Sequence, residues 1–139
     1  RDSRASFLAG VDGLMELTNR VKQVFRRRGH LVGLDGRKLH IRSEHSALNT
    51  LLQSAGAVLM KKALILLDQK LQVEGMKEGV DYEFVANIHD EFQIEVYYKY
   101  AEVIAQHAAE SVSRAGAYFE FDCPLSATSH IGENWSQTH

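Results

Sequence analysis

The chain has 139 residues, the size of one ordinary domain, and its 45% hydrophobic and 24% charged content argues against disorder. Lys and Arg number 16 against 18 acids, and the net charge of −2 does not advertise a nucleic-acid binder, although a local basic strip can hold phosphate on a neutral protein. The single cysteine, Cys123, excludes an internal disulfide and a cysteine zinc cluster; no signal peptide or membrane-spanning run is read, which points to a cytoplasmic protein.

The chain opens Arg1-Asp2-Ser3-Arg4 without Met, inside a polar helix-like segment, and this predicts a piece of something longer. Residues 4–28 carry a one-faced stripe at Phe7, Val11, Leu14, Thr18, Val21 and Phe25, the pattern of a helix. Gly10 and Gly13 weaken its first turns. Arg26, Arg27 and Arg28 suit the negative end of the helix dipole, and Gly29 ends it.

Asp35-Gly36, between two short apolar runs of residues 31–42, is a strong hairpin-turn signal. Ser43 fits an N-cap with Glu44 in the first turn, and one long helix runs from there to about Glu74, roughly 45 Å at 1.5 Å per residue. Its apolar residues cover more than one face (Leu48, Leu52 and Leu59; also Leu51, Val58 and Ile65), as expected of the spine of a core. Gly75 and Gly79 bracket its exit.

The same helix carries His45, Asn49 and Gln53 at i, i+4 and i+8, a spacing that shares one face. Two successive amides can donate to the minor-groove acceptors, purine N3 and pyrimidine O2. Those acceptors recur in every Watson–Crick pair, so the contact tests pair shape without reading sequence. Read alone, the stripe is first a solvated polar face, or amides tying loops together.

Tyr82 to Ile88 and Phe92 to Tyr97 are rich in β-branched and aromatic residues, which predicts a hairpin with His89-Asp90-Glu91 at its tip. A two-residue turn at His89-Asp90 would put Ala86 opposite Gln93 and Phe84 opposite Glu95. Pairing Ile88 with Phe92, Ala86 with Ile94 and Phe84 with Val96 aligns the apolar faces instead. The expected register therefore leaves His89-Asp90-Glu91 as a three-residue connection or bulge. Two carboxylates held by a sheet suit Mg²⁺, which is bound by one or two carboxylates plus substrate phosphates. Alone, the tripeptide reads first as an acidic, soluble turn. A helix from about Tyr98 to Arg114 follows, then a last strand from Tyr118 to Leu125 and an irregular tail. The order ββ–α–ββ–α–β gives an α+β fold, a mainly antiparallel sheet with a long central helix, in one compact piece spanning 1–139.

Four stretches resemble one family. Leu34-Asp35-Gly36-Arg37-Lys38 resembles the LDGR hairpin of family A (DNA polymerase I-like) DNA polymerases, and Leu48 to Ala57 resembles their long palm helix. Ile88-His89-Asp90-Glu91 is similar to their motif C, and Gly132-Glu133-Asn134-Trp135 to their C-terminal tail. The four occur in the family's order across nearly the whole chain. The short connection from Arg37 to Asn49, and His45 where bacterial repair polymerases usually carry Arg, resemble the phage replicative branch more closely.

The resemblance implies a DNA-directed DNA polymerase, a nucleotidyltransferase, of which this chain is the C-terminal part of the palm with a fingers-to-palm helix at about 4–28. It implies Asp90 as the motif C ligand shared by two Mg²⁺ ions, with Glu91 a weaker or supporting ligand and His89 near the primer-terminal phosphate. Asn49 and Gln53 would probe the minor groove of the newest base pairs, beside His45 on the same DNA-binding stripe. Arg37, Lys38 and Arg42 are candidate phosphate contacts, which position DNA without reading it; a solvated basic face is the alternative for these three. The implied partners are primer-template DNA and deoxynucleoside triphosphates, with no membrane, in the cytoplasm of a bacterial or phage-infected cell; replication accessory proteins are not identifiable from this segment. The family's motif A aspartate and fingers helix lie upstream of the stretch resembled, so the fragment alone is expected to be inactive. Two other classes stay open: a non-catalytic DNA-binding module derived from a split or truncated polymerase, and a metal-dependent phosphohydrolase using His89 and Asp90.

Overall fold

The computed structural model describes residues 10–138. It divides the chain into two compact units, 1–55 and 56–139, where the sequence suggests a single piece. The boundary falls within the long helix.

In the first unit, helix α1 spans Leu14–Arg28. The helix expected from residue 4 is broken at Gly13, which turns the chain at φ 76°, a left-handed conformation that glycine adopts without a Cβ clash; residues 4–9 lie outside the described residues. Phe7, the first residue of the predicted stripe, lies outside the described residues. Gly29 closes α1, its N–H donating to the Phe25 carbonyl at 2.8 Å, with Arg26, Arg27 and Arg28 in the last turn as expected. Strands β1 (Leu31–Val32) and β2 (Lys38–Leu39) pair antiparallel, Leu31 opposite Leu39, around the predicted Asp35-Gly36 turn. A 3-10 turn at Glu44–Ser46 leads into helix α2, Ala47–Val73. Val21, Leu31, Leu39 and Ala47 form this unit's buried core, with Phe25 and Leu51 packed on it.

The second unit holds the rest of α2, strands β3 (Tyr82–Ile88) and β4 (Glu91–Val96), helix α3 (Ala101–Tyr118) and the short helix α4 (Trp135–Thr138). Ala63, Leu67 and Leu71, at i, i+4 and i+8 on α2, are fully buried. Leu67 and Leu71 meet Tyr82 and Ile104, while Leu59, Met60 and Ala63 meet Val112 and Ala115 of α3. Complete burial of a side chain the size of Leu67 or Leu71 stabilises by about 1.5–3 kcal/mol. Helix α2 ends at the predicted glycine: the Gly75 N–H donates to Gln72 and the Met76 N–H to Leu71, both at 3.0 Å, closing the last turn.

Two expectations fail here. The last strand, Tyr118 to Leu125, is absent, because α3 continues through Tyr118 and then stops on a left-handed residue, Glu120, at φ 54°. The Glu120 N–H donates to the Ala117 carbonyl and the Phe121 N–H to the Gly116 carbonyl, each at 3.1 Å, the pattern of a helix stop that usually carries glycine. The chain then lies along α3, with Leu125 against Gly116 and the Leu125 carbonyl accepting from Ser113 Oγ at 2.7 Å. The fold is accordingly α+β with two separate two-stranded antiparallel ribbons. The second failure concerns membranes: Glu44–Val73 is long and apolar enough to cross one by length and composition, although the sequence reading found no such run. The fully buried residues of that helix sit in protein cores, and a core helix passes the same test.

Candidate functional site

The hairpin carrying Asp90 does not adopt the expected register. Ile88 faces Glu91, Asn87 faces Phe92 and Ala86 faces Gln93, so His89-Asp90 is a two-residue turn. Toward the base the ladder shifts between Phe84 and Ala86, leaving Val85 as the bulged residue and restoring Phe84 opposite Ile94 and Tyr82 opposite Val96. The bulge resolves the conflict in the sequence. It keeps Tyr82, Phe84, Ile94 and Val96 on the core side at the base, yet permits a tight turn at the tip. Ile88 is thereby carried to the Glu91 face and is 43% exposed.

At the tip, His89 adopts φ 55°, the positive angle that tight hairpin turns demand at their first position. His89 and Asp90 are exposed, whereas Glu91, the first residue of β4, is half-buried. Gln93 Nε2 donates to Glu91 Oε1 at 2.7 Å. Thr138 of α4 places its hydroxyl 3.2 Å from Gln93 Oε1 and 3.1 Å from the Trp135 carbonyl. Sequence reasoning missed Gln93; its i+2 spacing from Glu91 on one strand was the available signal. Thr138 could not have been found that way, since 45 residues separate it from Gln93.

The base of the hairpin is tied to α2. Tyr82, 2% exposed, donates its hydroxyl to Asp68 Oδ1 at 2.6 Å, and Gln72 Nε2 donates to Asp68 Oδ2 at 2.8 Å. Burial first, and the bond to Asp68 second, push the Tyr82 hydroxyl's pKa well above that of free tyrosine. The Tyr97 N–H, just past β4, donates to the Asp81 carbonyl at 2.9 Å.

The remaining predicted site residues belong to the first unit. Asn49 and Gln53 lie one turn apart on α2 and are exposed, so both amides are available to a ligand. His45, expected on the same helical face, sits instead in the 3-10 turn before α2, where the helical repeat does not carry the stripe. Lys38 and Arg42 are exposed. Arg37 is engaged locally: its Nε donates to Asp35 Oδ2 at 2.6 Å, and this bond holds the Asp35 carboxyl below its ordinary pKa. Arg26, at the end of α1, makes a two-pronged pair with Glu44, Nε to Oε2 at 2.6 Å and Nη2 to Oε1 at 2.7 Å. Among the described residues no group of three or more His, Cys, Asp or Glu side chains converges on a metal position.

The sequence model described as DNA polymerase family A matches residues 5–137. The chain belongs to this family. It is 40% identical over 121 residues to the DNA-directed DNA polymerase of Enterobacteria phage T3, an overlap of 85% of this chain and 17% of that protein. It is 37% identical over 143 residues to the DNA-directed DNA polymerase of Escherichia phage Phieco32, covering 98% of this chain and 22% of the relative. The chain thus spans roughly a fifth of the length of these family A relatives. Among solved structures, the POL domain of Pol1 from M. smegmatis in complex with DNA primer-template and dNTP aligns with a TM-score of 0.64 at 23% identity. That alignment covers 74% of this chain and 20% of the other, and it supports the polymerase-domain fold.

Proposed function

We propose that this chain is the C-terminal palm segment of a template-directed DNA polymerase of the phage replicative type, with the α1 region returning from the fingers. The observation that carries the reading is an exposed carboxylate, Asp90, on a two-residue turn at the end of a core-anchored ribbon, followed directly by Glu91, in a family A chain. A ribbon held at its base by Tyr82 and Asp68 keeps its tip in a fixed position, as in-line phosphoryl transfer requires.

The substrates in this reading are primer-template DNA and deoxynucleoside triphosphates, and the cofactor is Mg²⁺. Asp90 and Glu91 are hard oxygen donors of the kind Mg²⁺ takes, with its other ligands drawn from phosphates, water and protein outside this segment. Bound there, Mg²⁺ supplies Lewis-acid stabilisation of the attacking and leaving oxygens. Asp90 would be the principal metal ligand, Glu91 would support it and His89 would lie toward the primer-terminal phosphate. Asn49 and Gln53 donate to minor-groove acceptors, with His45, in the 3-10 turn before α2, a further DNA contact, while Arg37, Lys38 and Arg42 meet backbone phosphates. The work is done in the cytoplasm of a bacterial or phage-infected cell. A non-catalytic DNA-binding module is the competing reading, and the same experiment separates the two.

That experiment uses the full polymerase carrying this segment. Asp90→Ala should abolish primer extension with little loss of DNA binding, and Glu91→Ala should reduce extension less. Gln53→Ala should leave metal binding intact while weakening extension and relaxing discrimination at the primer end. This segment alone should extend no primer. Near-normal extension by the Asp90→Ala polymerase would overturn the assignment.

A further inference from the structure

Glu91 and Gln93 stand two residues apart on β4, so their side chains leave the same face of the ribbon. The Gln93 carboxamide is engaged at both ends, its Nε2 donating to Glu91 Oε1 at 2.7 Å and its Oε1 lying 3.2 Å from Thr138 Oγ1. A carboxylate only accepts hydrogen bonds and an amide oxygen also only accepts, so a flipped amide would set two acceptors against each other at Glu91. Glu91 therefore determines which way the amide faces, and the oxygen is left toward the hydroxyl of α4. The Thr138 hydrogen has a second acceptor within reach, the Trp135 carbonyl at 3.1 Å, which holds the hydroxyl at the end of its own helical turn. That turn is braced locally: the Glu133 N–H donates to Gln137 Oε1 and Ser136 Oγ to Asn134 Oδ1, both at 2.7 Å.

We propose that Gln93 is a positioning residue for the Asp90-Glu91 carboxylate pair, orienting Glu91, and that Thr138 braces Gln93 from the C-terminal helical turn. The inference rests on the reading of Asp90 and Glu91 as metal ligands. Gln93 supplies one of the contacts that orient this carboxylate, and losing an orienting contact of this kind weakens metal affinity by about tenfold. The loss falls on metal affinity and leaves the reaction at saturating metal largely intact. DNA affinity should not move, since neither Gln93 nor Thr138 is among the DNA contacts.

The test compares Gln93→Ala, Gln93→Glu, Thr138→Val, Thr138→Ser and Asp90→Ala in the full polymerase. Two curves are read. One is Mn²⁺ binding followed by electron paramagnetic resonance on the polymerase with primer-template and no nucleotide; the other is the Mg²⁺ dependence of primer extension. Gln93→Ala should shift both curves to about tenfold higher metal, with extension restored at saturating Mg²⁺ and DNA affinity unchanged. Gln93→Glu keeps an acceptor for Thr138 but loses the donor to Glu91, so it should be at least as impaired. Thr138→Val should shift both curves less, should add nothing to Gln93→Ala, and should be rescued by Thr138→Ser. Unmoved metal curves in Gln93→Ala and Gln93→Glu, while Asp90→Ala abolishes extension, would overturn the positioning role and leave the polymerase reading standing. Extension retained by Asp90→Ala would instead remove the reading on which the proposal rests.

Discussion

The Tyr82 hydroxyl donates to Asp68 Oδ1 at 2.6 Å, joining the first residue of β3 to the C-terminal part of α2. Asp68 Oδ2 is taken by Gln72 at 2.8 Å, so both carboxylate oxygens are engaged at the foot of the ribbon that carries Asp90. In Tyr82→Phe the ring still fills its place but Oδ1 loses its donor, and a hydrogen bond to a charged group is worth about 1.5–3 kcal/mol. Amide exchange in β3 and β4 of the polymerase should quicken accordingly, with extension falling less than in Asp90→Ala. Unchanged exchange in the ribbon would show that the bond contributes nothing to its anchoring.

Arg37 should be a weaker DNA contact than its charge suggests. Asp35 lies against it in an ion pair that any phosphate must displace or share. Arg37→Ala should therefore lower the salt dependence of DNA binding by less than Lys38→Ala or Arg42→Ala, where loss of one phosphate contact reduces the slope by about 1. Asp35→Asn should tighten binding at low salt. Equal slopes for all three basic variants would count against this.

The pairing of Arg26 with Glu44 makes the first unit sensitive to acid. The hydrogen bonds from Arg26 hold the Glu44 carboxyl below its ordinary pKa of 4.5. A group depressed in the folded state stabilises that state above its unfolded pKa and loses the contribution as pH falls through the folded value. The gap in thermal midpoint between the parent and Glu44→Gln should therefore be constant from neutral pH to about pH 5 and close at lower pH. Both residues are solvent-facing, so salt should narrow the gap as well. A gap that does not narrow at all as pH is lowered into the acid range would rule this out.

Glu120 should be replaceable with profit. A side chain held in the left-handed region is strained by about 1 kcal/mol or more, and glycine removes the strain. Glu120→Gly should slow amide exchange at the end of α3, whereas Gly116→Ala should speed it, because a Cβ there would come within 3.0 Å of Leu125 Cδ1. Overpacking of this kind costs about 1–3 kcal/mol, offset in part by the roughly 1 kcal/mol that alanine gains over glycine within a helix. The same sign for both substitutions would contradict this account of the helix end.

Local rules made much of this fold legible. Gly29, Asp35-Gly36, Ser43 and Gly75 each mark a boundary where the structure has one, because each acts through its own backbone or nearest neighbours. The end of α3 escaped notice because Glu120 does the work of a glycine, while Tyr118, Phe119 and Phe121 carry strand-like side chains without a strand to pair with. The Val85 bulge escaped because alternation presumes that every residue in a strand has a partner. Asp90 stays on the turn in either register, whereas Glu91 moves from the expected connection into the first position of β4. The contacts that hold Glu91, through Gln93 to Thr138, depend on where the C-terminal turn lands and leave no periodic trace.

Val85, 57% exposed and bulged out of the ladder, has a consequence for how this segment tolerates change. Its side chain contributes little packing, so replacement by Thr, Lys or Ser should be nearly silent. Its removal should not be. Without the extra residue the two strands can keep either the core contacts of Tyr82 and Phe84 or the two-residue turn at His89-Asp90, and not both. Position 85 is therefore one where length is under constraint and identity is free: a library of polymerase variants should keep almost any amino acid there and discard the single-codon deletion.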